Sequence, residues 1–413
     1  MPPNSCVELL AAMVGFDSVT PRTSGRAEAE RPLAEYVFAV ATAWGFHCRW
    51  LPVKGCAPNL LIEHTANPEA PWLLFDSHLD TVGIAGMTID PFAATIRDGR
   101  LYGRGACDTK GTGAAMLWAL REYARNVPPP PYSGEGLGEG AKQASPSPQA
   151  SAIGGQRAAN VAILFSVGEE DQQIGARTFV DEHLPMLSWR PAAIVVGEPT
   201  RMQLVAGTNG FVRWQIRTRG RAAHSSAPSQ GRNAISDMAR VIAAIEDRYI
   251  APLAIAHPLT GKAACCITRI HGGTQVNVVP ETCAIDIDRR VAPGEDLATI
   301  VPAVDRLLGA LRAADPELTI THEAVETAPP LDPEPNLPLA ESCVATLRSV
   351  GIESLITGAP YTTNANHYGA AGLATIILGP GDIAQAHTAQ EWIELEELRR
   401  GVKGYLATMN DQR

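Results

Sequence analysis

The side chains in this sequence best placed to hold or use a metal ion are His78, Asp80, Asp108, Glu169, Glu170, Glu198 and His387. The two imidazoles with three of these five carboxylates make a mixed nitrogen/oxygen donor set suited to Zn²⁺ or a neighbouring divalent ion. One carboxylate, having two oxygens, can bridge two ions, and a pair about 3.5–4 Å apart can hold a hydroxide and clamp a tetrahedral intermediate. A carboxylate left off the metals could take the proton from that water; Glu169, adjacent to Glu170 but directed elsewhere, fits this role. Taken singly, a histidine after a strand is more often a hydrogen-bonded loop residue, and adjacent glutamates usually form a solvated face. The case rests on where these residues fall together.

They fall after short apolar runs. Trp72-Leu-Leu-Phe leads into Asp76-Ser-His78 and Asp80, a buried strand followed by a loop. A second run at 161–166 precedes Glu169 and Glu170, a third at 192–197 precedes Glu198, and a fourth at 374–379 precedes His387. Asp108 sits in a glycine-rich loop, 103–111, just before a helix expected over 110–123. Another helix is expected over 32–44, with Leu33, Val37, Val40 and Ala41 on one face. Helical segments separate most of the strand runs, which predicts a sheet with substantial parallel pairing covered by helices. In such open α/β sheets ligands bind outside the carboxyl ends of the strands, where these side chains stand.

The texture changes between 209 and 327. Residues 212–218 and 283–290 alternate as strands, the latter with Ile285 and Ile287 on one face and Asp286, Asp288 and Arg290 on the other. Ile235, Met238, Ile242 and Ile245 mark one face of a helix, 297–311 supplies a second, and 318–321 a last strand. The order strand–helix–strand–strand–helix–strand is that of a ferredoxin-like α+β domain. The expected organisation is a catalytic domain over 1–208 and 328–413, interrupted by a smaller domain over 209–327. Residues 126–158, with Pro128–131 and Ser-Pro-Ser-Pro, read as a flexible Pro/Gly/Ser-rich surface insertion.

Composition excludes several classes. With 413 residues, 45% of them apolar and 19% charged, the chain can bury a core and is not mainly disordered. A net charge of −10 argues against nucleic-acid binding. No apolar run approaches the ~18 residues of a membrane span, and the N-terminal stretch lacks a basic region and carries Glu8. A cytoplasmic protein is expected. The eight cysteines form no C-x-x-C pair and read as reduced, packed thiols, Cys107 among them.

The local sequences resemble those of one family. They are Asp-Ser-His-Leu-Asp-Thr-Val (76–82), Leu-Tyr-Gly-Arg-Gly-Ala-Cys-Asp-Thr-Lys-Gly (101–111), Gly-Glu-Glu (168–170) and Val-Gly-Glu-Pro-Thr (196–200). His-Ser-Ser-Ala-Pro (224–228), Asn-Val-Val-Pro (277–280) and Gly-Pro-Gly-Asp-Ile-Ala-Gln-Ala-His (379–387) extend the likeness along nearly the whole chain. The family is the dinuclear-zinc amidohydrolases and peptidases: acetylornithine deacetylase, succinyl-diaminopimelate desuccinylase, glutamate carboxypeptidase and aminoacylase. The look is closest to acetylornithine deacetylase.

The resemblance implies roles. His78 and Glu198 would hold one Zn²⁺, Glu170 and His387 the other, and Asp108 would bridge, with Co²⁺ or Mn²⁺ as possible replacements. Asp80 would orient the His78 imidazole through its carboxylate. Glu169 would be the general base and then the proton donor to the leaving amine. His224, on composition alone a surface histidine, would polarise the scissile carbonyl in a neighbouring subunit's site. Arg290 would bind a substrate carboxylate through its guanidinium fork, helped by Asn277, which also reads as an asparagine closing a turn before Pro280. Arg289, on the opposite strand face, reads as structural or solvated. One departure is Asn364, where many relatives carry an aspartate.

The implied function is hydrolysis of the amide of an N-acyl amino acid, with a zinc-bound hydroxide as nucleophile. The alternatives are a dipeptidase or carboxypeptidase using the same metals, and a non-catalytic binding homologue. The implied partners are a small N-acyl amino acid or dipeptide and a second copy of the chain, bound through the inserted domain.

Overall fold

The computed structural model describes residues 2–129 and 158–411, so the Pro/Gly/Ser-rich stretch read as a flexible insertion lies almost wholly outside the described residues. The chain divides into two compact units. Unit 1 comprises Met1–Leu204, Pro338–Ile356 and Ala371–Arg413, and unit 2 comprises Val205–Leu337 and Thr357–Ala370. Unit 2 thus takes in a segment, Thr357–Ala370, assigned above to the catalytic portion.

Unit 1 is built on strands β1 (His47–Leu51), β2 (Asn59–His64), β3 (Trp72–His78), β4 (Asn160–Ser166), β5 (Pro191–Val196) and a later strand, Thr375–Ile377. They lie in the order β1-β2-β4-β3-β5 followed by Thr375–Ile377. The β1–β2 and β2–β4 pairs are antiparallel; β3 pairs in parallel with β4 and β5, and β5 with Thr375–Ile377. Every residue of β4 is buried, as are the last five of β3. That is why both read as unbroken apolar runs rather than alternating ones. Each fully buried Ile or Leu there contributes roughly 1.5–3 kcal/mol.

Helix α1 (Arg31–Ala43) buries Leu33, Ala34, Val37, Val40 and Ala41, the face expected from its spacing. Helix α2 (Lys110–Asn126) starts directly after the glycine-rich loop and is buried through most of its first three turns. The helix Leu395–Asn410 lies against α2. The result is a mixed sheet flanked by helices, with the parallel strands β3, β4 and β5 ending at one edge.

Unit 2 carries a four-stranded antiparallel sheet of β6 (Gly210–Arg219), β7 (Ala264–Gly272), β8 (Thr282–Val291) and β9 (Thr319–Ala328), with helices α3 (Ala234–Ile245) and α4 (Ile300–Ala314). The spatial order β7-β8-β6-β9 completes the ferredoxin-like pattern. Val212, Trp214, Ile216, Ile285 and Ile287 from the sheet pack with Met238, Val241 and Ile245 from α3 and Val304 and Leu308 from α4.

The face of one helix differs from expectation. The buried stripe of α3 runs through Ala234, Met238, Val241 and Ile245, while Ile235 is 41% exposed and Ile242 only partly buried. Both sets repeat at helical spacing, and the sheet selects one. Strand β7 went unlocated in the sequence because it is an edge strand whose residues are mostly exposed. Among the described residues no helix is long and apolar enough to cross a membrane.

Candidate metal centre

The centre is assembled at the carboxyl ends of the unit 1 strands. His78 is the last residue of β3 and is 2% exposed. Its Nδ1 lies 2.9 Å from the backbone oxygen of Asp80. A carbonyl only accepts, so Nδ1 carries the hydrogen and Nε2 keeps the lone pair that a metal would need. Nε2 stands 3.2 Å from Asp108 Oδ1.

Hydroxyl contacts tie the Asp108 loop to the strand end. Thr109 Oγ1 donates to the His78 carbonyl at 3.1 Å, and Ser77 Oγ lies within 3.2 Å of both Thr109 Oγ1 and Thr112 Oγ1. Thr112 Oγ1 also reaches the carbonyl of Gly197, just before Glu198, at 3.2 Å.

The second oxygen of Asp108 faces the other histidine. Oδ2 is 3.3 Å from His387 Nε2, and Glu170 Oε1 is 3.0 Å from the same nitrogen. His387 adopts φ +61°, a left-handed conformation uncommon outside glycine. Ligand atoms of His78, Asp108 and Glu170 all lie within 4.8 Å of one another. Asp108 therefore stands between two imidazoles with one oxygen toward each.

Glu169 and Glu170 open a one-turn helix, Glu169–Gln172, behind Gly168. Gly168 has φ +64°, and a Cβ there would meet Ile174 Cγ2 at 2.6 Å. Only glycine lets the chain turn so sharply from β4 into these carboxylates.

Asp80 was expected to orient His78 through its carboxylate. Its backbone carbonyl does so instead, and its Oδ1 is 3.6 Å from Nδ1, too far for a hydrogen bond. The carboxylate accepts the Glu169 N–H at 3.0 Å and the Glu170 N–H at 2.9 Å. One residue thus fixes the His78 imidazole on β3 and the glutamate pair after β4.

The electrostatics favour a cation at this cluster. Burial pushes the Glu169 carboxyl up to about 8, with Glu170, Asp80 and Asp108 adding to it against the pull of His78. Glu198 is 5% exposed, and burial together with Asp108 and Glu169 holds it well above the carboxylate range. Glu170 is raised by burial and by Asp108. Burial also opposes ionisation of Asp108, but hydrogen bonds from His387 and His78 overcome it and hold its carboxyl low. His387 is raised to about 10 by Asp108 and Glu170. His78 is raised too: burial works against its protonation, and Asp108 and Asp80 outweigh it. A divalent cation in this cluster would neutralise the carboxylates and displace the imidazole protons. The residues present fit such an ion.

The remaining candidates lie in unit 2. His224 Nδ1 accepts the backbone N–H of Ser226 at 3.1 Å and sits 2.7 Å from Ser226 Oγ. A backbone N–H only donates, so in the neutral imidazole the hydrogen is on Nε2. Arg290 lies on β8 with Nε 2.8 Å from Asp288 Oδ1; Arg213 Nε donates to Asp288 Oδ2 at 2.7 Å. Arg289, 1% exposed, pairs with Glu295. Asn277 is exposed, and its backbone oxygen accepts the Ser225 N–H at 2.9 Å. Asn364 is buried, and its carbonyl accepts the His367 N–H at 3.1 Å.

All eight cysteines are free, and the buried Cys107 thiol is pushed well above its ordinary value by burial, with Glu391 adding to it. Two buried residues next to the centre were not foreseen. Arg104 and Glu391 pair at 2.6 Å, and Glu391 also accepts the Asp108 N–H at 2.9 Å. Arg104 stood in view inside the glycine-rich loop, but its partner is 287 positions away, and no local spacing could join them.

Comparison with known proteins agrees with this geometry. Residues 206–316 match the peptidase dimerisation domain, and residues 74–135 match peptidase family M20/M25/M40. The chain thus carries two segments that match models of the M20 peptidase family, one of them its dimerisation domain. It is accordingly a metallopeptidase-type hydrolase of amide or peptide bonds. Several solved structures share the fold. The M20 metallo-carboxypeptidase Sso-CP2 from Sulfolobus solfataricus aligns with a TM-score of 0.76 and 16% identity, over 99% of both chains. The aminopeptidase PepT from Bacillus cereus gives 0.72 and 19%, over 98% of this chain and 97% of that one. Human carnosine dipeptidase 1 gives 0.72 and 15%, over 98% and 95%.

Proposed function

We propose that the protein is a cytoplasmic, homodimeric deacylase, cleaving the amide of an N-acyl amino acid at a pair of divalent ions, Zn²⁺ by donor type, with Co²⁺ or Mn²⁺ as possible replacements. The observation that carries the reading is Asp108, offering one oxygen toward His78 and the other toward His387. His78 and Glu198 would hold one ion, Glu170 and His387 the other, with Asp108 shared. When bound, such a pair polarises a carbonyl and lowers the pKa of water toward neutrality.

The chain's own groups do the rest. Glu169, half-buried beside the proposed ligands, takes the proton of the attacking water and returns it to the leaving nitrogen. Asp80 fixes Glu169 and Glu170 through their N–H groups. His224, with its hydrogen on Nε2, donates to the carbonyl oxygen in a neighbouring subunit's site as negative charge develops there. Arg290 binds the substrate carboxylate, which must compete with Asp288 for the guanidinium, and Asn277 assists.

A dipeptide substrate is the second reading, supported by the names of the similar structures, which include a dipeptidase and a carboxypeptidase. The test is hydrolysis of N-acetyl, N-succinyl and longer N-acyl amino acids beside dipeptides, followed by mass spectrometry with zinc-loaded and chelator-treated protein. Metal-dependent cleavage of one acyl class is expected. Cleavage of dipeptides alone would replace the deacylase with the second reading, and no cleavage by protein with two ions bound would reject both.

A further inference from the structure

Glu391 is fully buried and lies outside the set of metal-binding side chains. Its Oε1 accepts the N–H groups of Cys107 at 3.0 Å and Asp108 at 2.9 Å. Its Oε2 accepts the N–H of Gly105 at 3.0 Å and Arg104 Nη1 at 2.6 Å. Its backbone oxygen accepts the N–H of Gly103 at 3.0 Å. Arg104 is in turn held by the carbonyls of Gly83 at 3.1 Å and Thr388 at 3.4 Å.

Three of the six main-chain N–H groups from Gly103 to Asp108 thus converge on one carboxylate and a fourth on the same residue's carbonyl, while those of Arg104 and Ala106 go to the carbonyls of Pro91 and Gly103. Charge-assisted bonds of this kind are roughly twice as strong as neutral ones, and burial strengthens them further. Asp108 is at the end of that loop, with its own amide in the cradle and its two oxygens turned to different histidines. Glu391 is also four residues beyond His387, with Thr388 contacting the same arginine.

We infer that Glu391 is the positioning residue of the shared ligand: it orders the 103–108 loop before any ion arrives, so that Asp108 is preset to serve both halves of the centre. This rests on the proposed role of Asp108 as bridging ligand. Because the loop's donors are anchored from beneath, the ions need not supply the energy to order it.

The test has two arms. In the first, hydrogen exchange is measured on the chelator-treated parent protein. The amides of Gly105, Cys107 and Asp108 are expected to be strongly protected without metal; exchange at unstructured rates would overturn the inference. In the second, Zn²⁺ is titrated calorimetrically into the parent, E391Q, and the double variant R104M/E391Q, which leaves no buried guanidinium unpaired. Both variants are expected to bind the zinc pair 10–100-fold more weakly, the usual cost of losing a partner that orients a ligand. E391D, which keeps the charge, should recover part of the loss. A folded double variant that binds zinc as tightly as the parent would overturn the inference. A parent that binds no zinc pair would sink the bridging role of Asp108, while amide protection would still decide whether Glu391 orders the loop.

Discussion

Glu30 offers a quantitative test of how unit 1 handles buried charge. It directly precedes α1, fully buried, with Asp80 as a charged neighbour. Burial raises its carboxyl from 4.5 to about 7; Asp80 adds to the shift, while the Gly168 backbone and Arg26 offset part of it. In the unfolded chain the group returns to its ordinary value, so between pH 4.5 and 7 the folded state binds more protons. Stability from this group is therefore fully present below pH 4.5 and is lost as pH rises through 7. A shift from 4.5 to about 7, at about 1.4 kcal/mol per pH unit, amounts to roughly 3 kcal/mol.

Glutamine keeps the shape and cannot ionise. Glu30→Gln should match the parent near pH 4.5 and exceed it by roughly 3 kcal/mol at pH 8. Urea unfolding of chelator-treated protein, followed by tryptophan fluorescence, gives the difference. Of the seven tryptophans only Trp214 lies in unit 2, so the signal reports unit 1. Titrations common to both proteins cancel in the comparison. A stability difference between variant and parent that stays flat from pH 4.5 to 8 would refute the reasoning.

Three further outcomes concern the centre. Glu169→Gln should lower kcat by about 10²–10⁴-fold, the range of general acid–base catalysis, with zinc content unchanged; retained turnover would remove Glu169 as the base. His224→Ala should lower kcat by about 10²–10³-fold, as for loss of one oxyanion donor, and leave zinc affinity alone; an equal loss of zinc would contradict its assigned role. Asp80→Asn should weaken zinc binding about tenfold or more, because one amide oxygen replaces two carboxylate oxygens that now accept the Glu169 and Glu170 N–H groups. Zinc titration of the variant checks this, and unchanged affinity would show that those contacts do not set Glu170.

The sequence was most legible where burial dictates residue type. Strands β3 and β4 must satisfy two buried faces, so they read as apolar runs with the candidate metal-binding residues just beyond them. The alternation in β8 was equally plain, because Ile285 and Ile287 face the unit 2 core and Asp286 and Asp288 face away. Edge strand β7 has one weakly buried face and left no clear period.

Other features were hidden for physical reasons. A histidine followed two residues later by aspartate brings both a carbonyl and a carboxylate near the imidazole, and spacing cannot say which one takes the hydrogen. In this chain the carbonyl does, which frees the carboxylate for Glu169 and Glu170. On α3, isoleucine and methionine recur on two overlapping helical registers, and only packing against the sheet selects Met238, Val241 and Ile245 over Ile235. Glu391 acts through main-chain donors, which every sequence possesses, so nothing in the residue types marks what it holds.

His78, Asp108, Glu170, Glu198 and His387 are proposed to form a site for two ions sharing Asp108. The most direct test is calorimetric titration of Zn²⁺ into chelator-treated protein. Two zinc ions per chain are expected. A single ion per chain, or none, would contradict the shared site.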